Sequence, residues 1–146
     1  MPNISDNRKA RFDFFIEDKF EAGIELLGWE VKSARAGSVN LQDSFVWFEN
    51  GSAWLKNAHF SPYEYGDVKT QEPRRDRRLL LNKSEIAKLH TAVRAKGYTC
   101  VATKIYFNSR GIVKVEIATA KGKKNYDKKQ TMKERDILRE AGKETL

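Results

Sequence analysis

Three stretches of the chain bring together side chains able to meet a ligand. In Gly28-Trp-Glu-Val-Lys-Ser-Ala-Arg35, Lys32 and Arg35 stand three apart, the spacing that puts two cations on one face of a short helix or turn. Glu30 can accept a hydrogen bond from a base edge or a ribose hydroxyl, or simply pair with a surface Lys or Arg. In Lys121-Gly-Lys-Lys-Asn-Tyr-Asp-Lys-Lys129, the lysines can meet phosphates, Gly122 admits close backbone approach, and the Tyr126 ring offers a plane for a base. The same run can equally be a solvated charged tail. In Leu79-Leu-Leu-Asn82, Asn82 is already needed as a helix cap, so a ligand contact requires its amide to reach outwards as well.

Catalysis has less to stand on. Glu30-Val31-Lys32 has the Glu-x-Lys spacing used by some metal-dependent nucleases, a chemistry that needs a second carboxylate, for which Asp43 or Glu25 is available. His59 and His90 have no paired His or Cys spacing for a metal or a triad, and His90 shares a helix face with Leu89. Cys100 is the only cysteine, which excludes an intrachain disulfide and leaves a small core residue. No metal, cofactor or catalytic residue is expected.

Composition points the same way. The 146 residues suit one domain with a tail, and 40% hydrophobic residues suffice for one core. A net charge of +8 suggests a polyanionic partner, since each neutralised phosphate releases a counterion; a membrane surface is the alternative. No run approaches the ~18 apolar residues of a membrane span, and Met1 to Arg11 is polar and unlike a signal, so a cytoplasmic protein is expected.

The elements that must position these residues follow from periodicity. From Phe12 to Leu26 the even positions are mostly apolar and most odd ones charged, which predicts one long half-buried strand. Phe45 to Phe48 and Ala53 to Lys56 flank Glu49-Asn-Gly-Ser52, a hairpin signal that sets Trp47 opposite Trp54 and Val46 opposite Leu55. The stretch from Ser61 to Asp76 reads as a long, mobile loop ending in Arg74, Arg75, Arg77 and Arg78. A strand over 78–81 then runs into Asn82-Lys-Ser-Glu85, a capping box; Ile86, Leu89, His90 and Val93 share one helix face, and Gly97 supplies the stop. Tyr98 to Phe107 and Ile112 to Ala120 form a second hairpin around Asn108-Ser-Arg-Gly111. The fold expected is mainly β with helices: a small antiparallel OB-like barrel over residues 1–120 with about two helices packed on it.

Residues 121–146 hold nine Lys or Arg against five Asp or Glu, a net +4 that is half the charge of the whole chain. Thr131 with Glu134 is a capping box, but Met132, Ile137, Leu138 and Ala141 make only a narrow apolar stripe. Such a short helix is marginal alone, so this tail is expected to be disordered when free and helical when bound.

Asn7-Arg-Lys-Ala-Arg11, Phe20-Glu-Ala-Gly23, Gly28-Trp-Glu-Val-Lys-Ser33, Arg35-Ala-Gly37, Leu79-Leu-Leu81, Ala120-Lys-Gly-Lys-Lys124 and Tyr126-Asp-Lys-Lys129, in this order, resemble the SmpB family. These are the tmRNA-binding (SsrA-binding) proteins of bacterial ribosome rescue. The resemblance implies a non-catalytic, monomeric RNA binder. Its barrel would grip the tRNA-like domain of tmRNA and carry it to the decoding centre of the small subunit of a stalled ribosome, while its tail enters the mRNA channel. It places the family's RNA-binding Glu, Leu and Asn on Glu30, Leu80 and Asn82. The part the family needs on the ribosome falls on Gly122, Lys123, Lys124, Asp127, Lys128 and Lys129. Two departures stand out: Phe12 and Phe14 replace the more usual His and Tyr, and Lys129 replaces an Arg, keeping charge but losing the planar fork. Deleting 121–146 is expected to spare tmRNA binding while abolishing tagging, and Glu30→Ala to weaken binding with the fold retained. A general OB-type single-strand binder, with Trp47 or Trp54 lining a groove, is the alternative within RNA-binding proteins.

Overall fold

The structure is a computed structural model that describes residues 3–63 and 68–123. The expected strand from Phe12 is shorter at its start, because Asn7 begins a helix. Asn7 Oδ1 accepts from Ala10 N at 3.1 Å, and its Nδ2 donates to Leu41 O at 3.0 Å and Ala102 O at 2.8 Å. This buried cap fixes α1 (Arg8–Asp13), preceded by strand β1 (Asn3–Asp6). Strand β2 then covers Phe14–Ile24.

Helix α2 (Gly28–Arg35) follows, then β3 (Val39–Asn40), the hairpin β4 (Phe45–Glu49) and β5 (Ser52–Lys56), and β6 (His59–Phe60). Asn50 and Gly51 both take positive φ, 51° and 74°, as a tight two-residue turn requires, and Trp47 faces Trp54 while Val46 faces Leu55 as expected. Strand β7 (Arg77–Leu80) runs into α3 (Lys83–Lys96), which Asn82 caps and Gly97 ends at φ 67°. Strands β8 (Thr99–Phe107) and β9 (Val113–Gly122) form the second hairpin; among the described residues three α-helices accompany the sheet, α1 being the one not expected.

All pairings are antiparallel, in the order β1-β8-β9-β2-β7-β5-β4, with β3 and β6 paired separately. The sheet curls until β4 comes beside β8 and β1 beside β3, so the barrel-like form closes by packing, with no ladder among the described residues joining its end strands. Between Ile16 and Lys19 the β2–β9 register slips, and Asp18 N donates to Thr119 Oγ1 at 3.1 Å. That bulge throws Asp18 to solvent and returns Phe20, Ala22 and Ile24 to the core side.

Inside the curl lie Leu41, Leu55, Phe60, Leu79, Cys100, Ile105, Val115 and Ile117, and α3 covers one side through Leu89 with Ile86 and Val93. Each fully buried Leu, Ile or Phe contributes about 1.5–3 kcal/mol. His90 stacks on Phe48 with ring centroids 5.3 Å apart, a structural role as expected. The segment read as a loose loop is tied down where it is described. Val68–Thr70 forms a 3-10 turn, Gln71 is buried with Oε1 accepting from Tyr63 N at 2.6 Å, and Phe60 N donates to Pro73 O at 3.0 Å. No described helix is long and apolar enough to cross a membrane.

Candidate nucleic-acid interface

Glu30 sits in the first turn of α2, where Oε1 accepts from Leu27 N at 2.6 Å. Its carboxylate is fully buried and shared by two guanidiniums: Arg77 Nε reaches Oε2 at 2.5 Å and Arg75 Nη2 reaches Oε1 at 2.7 Å. Sequence reasoning placed Glu30 at the surface, against RNA or a surface cation. The structure corrects this, because both of its oxygens are spent inside the protein.

Arg77 is equally buried, and its remaining N–H groups donate to Ala58 O at 3.0 Å, Arg75 O at 2.9 Å and Pro73 O at 3.0 Å. The guanidinium lies 4.0 Å from the Phe60 ring centre. Burial pushes its pKa down from the ordinary arginine value, and the Glu30 charge opposes that shift. The pair therefore pins α2 to the segment entering β7. Of the predicted basic cluster, Arg77 is internal, Arg75 half-buried, Arg74 bonded to Asn57 Oδ1 at 2.8 Å, and Arg78 exposed.

With Glu30, Ser33 and Ala34 facing inwards, α2 turns Lys32 and Arg35 to solvent, as their spacing predicted. Lys32 Nζ lies 4.8 Å from the Tyr63 ring centre, and the Ser33 hydroxyl donates to Ser61 O. At the far end of β7, Leu79 points into the core and Leu80 points out, 50% exposed. Leu80 can lie there because its partner on β2 is Gly23: a Cβ on Gly23 would sit 3.1 Å from Leu80 Cβ. Asn82 Oδ1 accepts from Glu85 N at 2.8 Å and from the Ser84 hydroxyl at 2.7 Å. The cap therefore uses the oxygen, and Nδ2 remains on an exposed residue as a donor for a ligand.

Two residues assigned to the tail are held by the barrel, at the end of the inner strand β9. Gly122 is the last residue of β9 and pairs with Phe14. Lys123 N donates to Asp13 O at 2.9 Å, and Lys123 Nζ lies 5.0 Å from the Phe15 ring centre. Lys124, Tyr126, Asp127, Lys128 and Lys129, with the expected tail helix, lie outside the described residues.

The nuclease reading loses its first ligand, since the Glu30 carboxylate is occupied by arginines. Asp43 is itself bonded to Lys9 Nζ at 2.5 Å. Among the described residues no three His, Cys, Asp or Glu gather as a metal site. Asn7 and Arg77, which hold the scaffold together, were not singled out as buried by sequence reasoning.

A family model described as SmpB protein matches residues 4–145. The chain belongs to the SmpB family. Relatives in it include an SsrA-binding protein of Desulfitobacterium hafniense (strain DSM 10664 / DCB-2), 53% identical over 137 residues that cover 94% of this chain and 87% of the relative. An SsrA-binding protein of Caldicellulosiruptor saccharolyticus is 56% identical over 133 residues, 91% of this chain and 84% of the other. A solved chain described under "tmRNA-SmpB: a journey to the center of the bacterial ribosome" superposes with a TM-score of 0.70 at 49% identity, covering 83% of this chain and 85% of that one. Membership in the SmpB family agrees with the mainly antiparallel, helix-decorated sheet described above.

Proposed function

We propose that this protein binds the tRNA-like domain of tmRNA and delivers it to stalled ribosomes for trans-translation, in the cytoplasm, as a monomer and without catalysing a reaction. The observation that carries the reading is the arrangement around the buried Glu30–Arg77 pair. It fixes α2, with Lys32 and Arg35 outward, against the strand that ends in Leu80 and the Asn82 cap. Two cations, an exposed apolar side chain and a free amide donor on a rigid support suit a folded RNA read by shape, ribose hydroxyls and a few edges. Glu30 supports that surface from beneath. Relatives above half identity that are called SsrA-binding proteins support the choice of RNA.

Gly122 and Lys123, at the end of β9, with Lys124, Tyr126, Asp127, Lys128 and Lys129 following in sequence, would serve the second partner, the decoding centre and mRNA channel of the small subunit. The test is a gel shift of the full chain on tmRNA with tRNA as competitor. Retention of the tmRNA complex under excess tRNA is the expected result; equal displacement by tRNA and by a plain oligonucleotide would transfer the reading to a general single-strand binder.

A further inference from the structure

Leu80 is the edge of a wider outward face. In the β5–β7 ladder Trp54 pairs with Arg78, and in the β4–β5 ladder Trp54 pairs with Trp47, so the three side chains form one transverse row across three strands. Residues directly opposite share a sheet face. Since Leu55 and Leu79 point into the core, this row points away from it, on the side that carries Leu80. Trp47 is 53% exposed and Phe45, one pleat along on the same strand, 38%. Arg78 is exposed and holds no ion pair among the described residues. Lys56 shares the face beside Phe45, where it pairs with Asp76 at 3.5 Å.

Large rings left in water beside an unpaired guanidinium suit a flat, apolar-faced, anionic ligand. We infer that Trp47, Trp54 and Arg78 form a stacking row for an unpaired base of the bound RNA, with Arg78 meeting its phosphate. The row extends the proposed interface from Leu80 across β5 to β4, and so rests on the RNA-binding reading. A nucleobase supplies the π face the indoles need and its phosphate the charge Arg78 lacks. A second copy of this chain, stacked on the same outward face, is the competing occupant.

The full chain is titrated with a short oligo(A) RNA and, separately, with tmRNA, following tryptophan emission and affinity. Binding should quench emission. Trp54→Ala and Trp47→Ala should each weaken oligo(A) binding about tenfold, Trp47→Phe should retain most of it, and Arg78→Ala should lower the salt slope by about 0.7. Thermal melts confirm that each variant folds. Unchanged oligo(A) and tmRNA affinity in folded Trp variants overturns the inference, as does sedimentation as a dimer that protects Trp47. If the wild type itself shows no preference for tmRNA over tRNA, the broader reading fails, whereas a retained preference with indifferent Trp variants sinks only the row.

Discussion

Glu30 and Arg77, 47 positions apart in sequence, meet in the interior through a 2.5 Å bond from Nε to Oε2, with neither side chain exposed. Removing one partner of such a pair leaves an uncompensated charge inside. Glu30→Ala should lower unfolding stability by about 3–5 kcal/mol, a large share of the ~5–15 kcal/mol of an ordinary domain. Denaturant titration measures it, and RNA affinity should fall alongside as α2 loosens. Glu30→Gln, which keeps shape and one acceptor, should lose less. The expectation that Glu30→Ala weakens binding with the fold retained therefore gains a stability loss, because the carboxylate is buried; equal midpoints for Ala variant and wild type would show that the pair adds nothing to stability.

Gly23 tests how Leu80 is presented. A methyl there presses on Leu80 Cβ at 3.1 Å and Cδ1 at 3.4 Å; Cδ1 can swing into water, while Cβ gives only by a small shift of the β7 backbone. Gly23→Ala should therefore change stability by no more than about 1 kcal/mol, while tmRNA affinity drops clearly. Paired melting and gel-shift measurements separate the two effects; a stable variant with full affinity would remove Leu80 from the interface.

The boundary of the tail can be cut in two places. Ending the chain at Lys123 keeps the Phe14–Gly122 and Phe15–Lys121 pairs of β2 with β9, whereas ending it at Ala120 removes them. The longer fragment should melt like the full chain and bind tmRNA but not support tagging, and the shorter should melt lower. Identical melting curves would show that the last pairs of β9 contribute nothing.

Cys100 reports on alkaline pH. Burial pushes its thiol pKa from an ordinary 9.0 up to about 12. Above the ordinary value the unfolded chain gives up this proton and the folded one keeps it, so fewer protons are bound on unfolding and stability falls as pH rises. The loss begins near pH 9 and ends near 12, with a slope of at most about 1.4 kcal/mol per pH unit. Comparing wild type with Cys100→Ala between pH 8 and 10.5 isolates it: the variant should decline more slowly. Parallel slopes would contradict a thiol held neutral by the core.

Local signals were legible wherever chemistry acted over a few residues. The Asn50-Gly51 turn, the Asn82–Glu85 box and the Gly97 stop lie where their residue types placed them. Arg77 was hidden by its company. Counted with period two from Leu79 it belongs to the inward face, but four arginines close together suggest solvent, and only the distant Glu30 explains why one turns in. Helix α1 was masked by an apolar alternation that continues back to Phe12, and its cap depends on carbonyls of Leu41 and Ala102 that no local window contains. Lys32 and Arg35 were legible from helical spacing. Which atom of Asn82 stays free required the cap geometry.

The sheet joins parts of the chain more than a hundred positions apart: Asn3 lies against Tyr106 and Phe14 against Gly122. Contacts of such separation form slowly, because a long loop must close before they repay it. During synthesis β1 and β2 emerge well before β8 and β9, yet complete their pairing only when those strands arrive. A nascent chain halted before residue 99 would expose β1 without β8 and β2 without β9, the ring-bearing side chains of β2 open to chaperones or to aggregation.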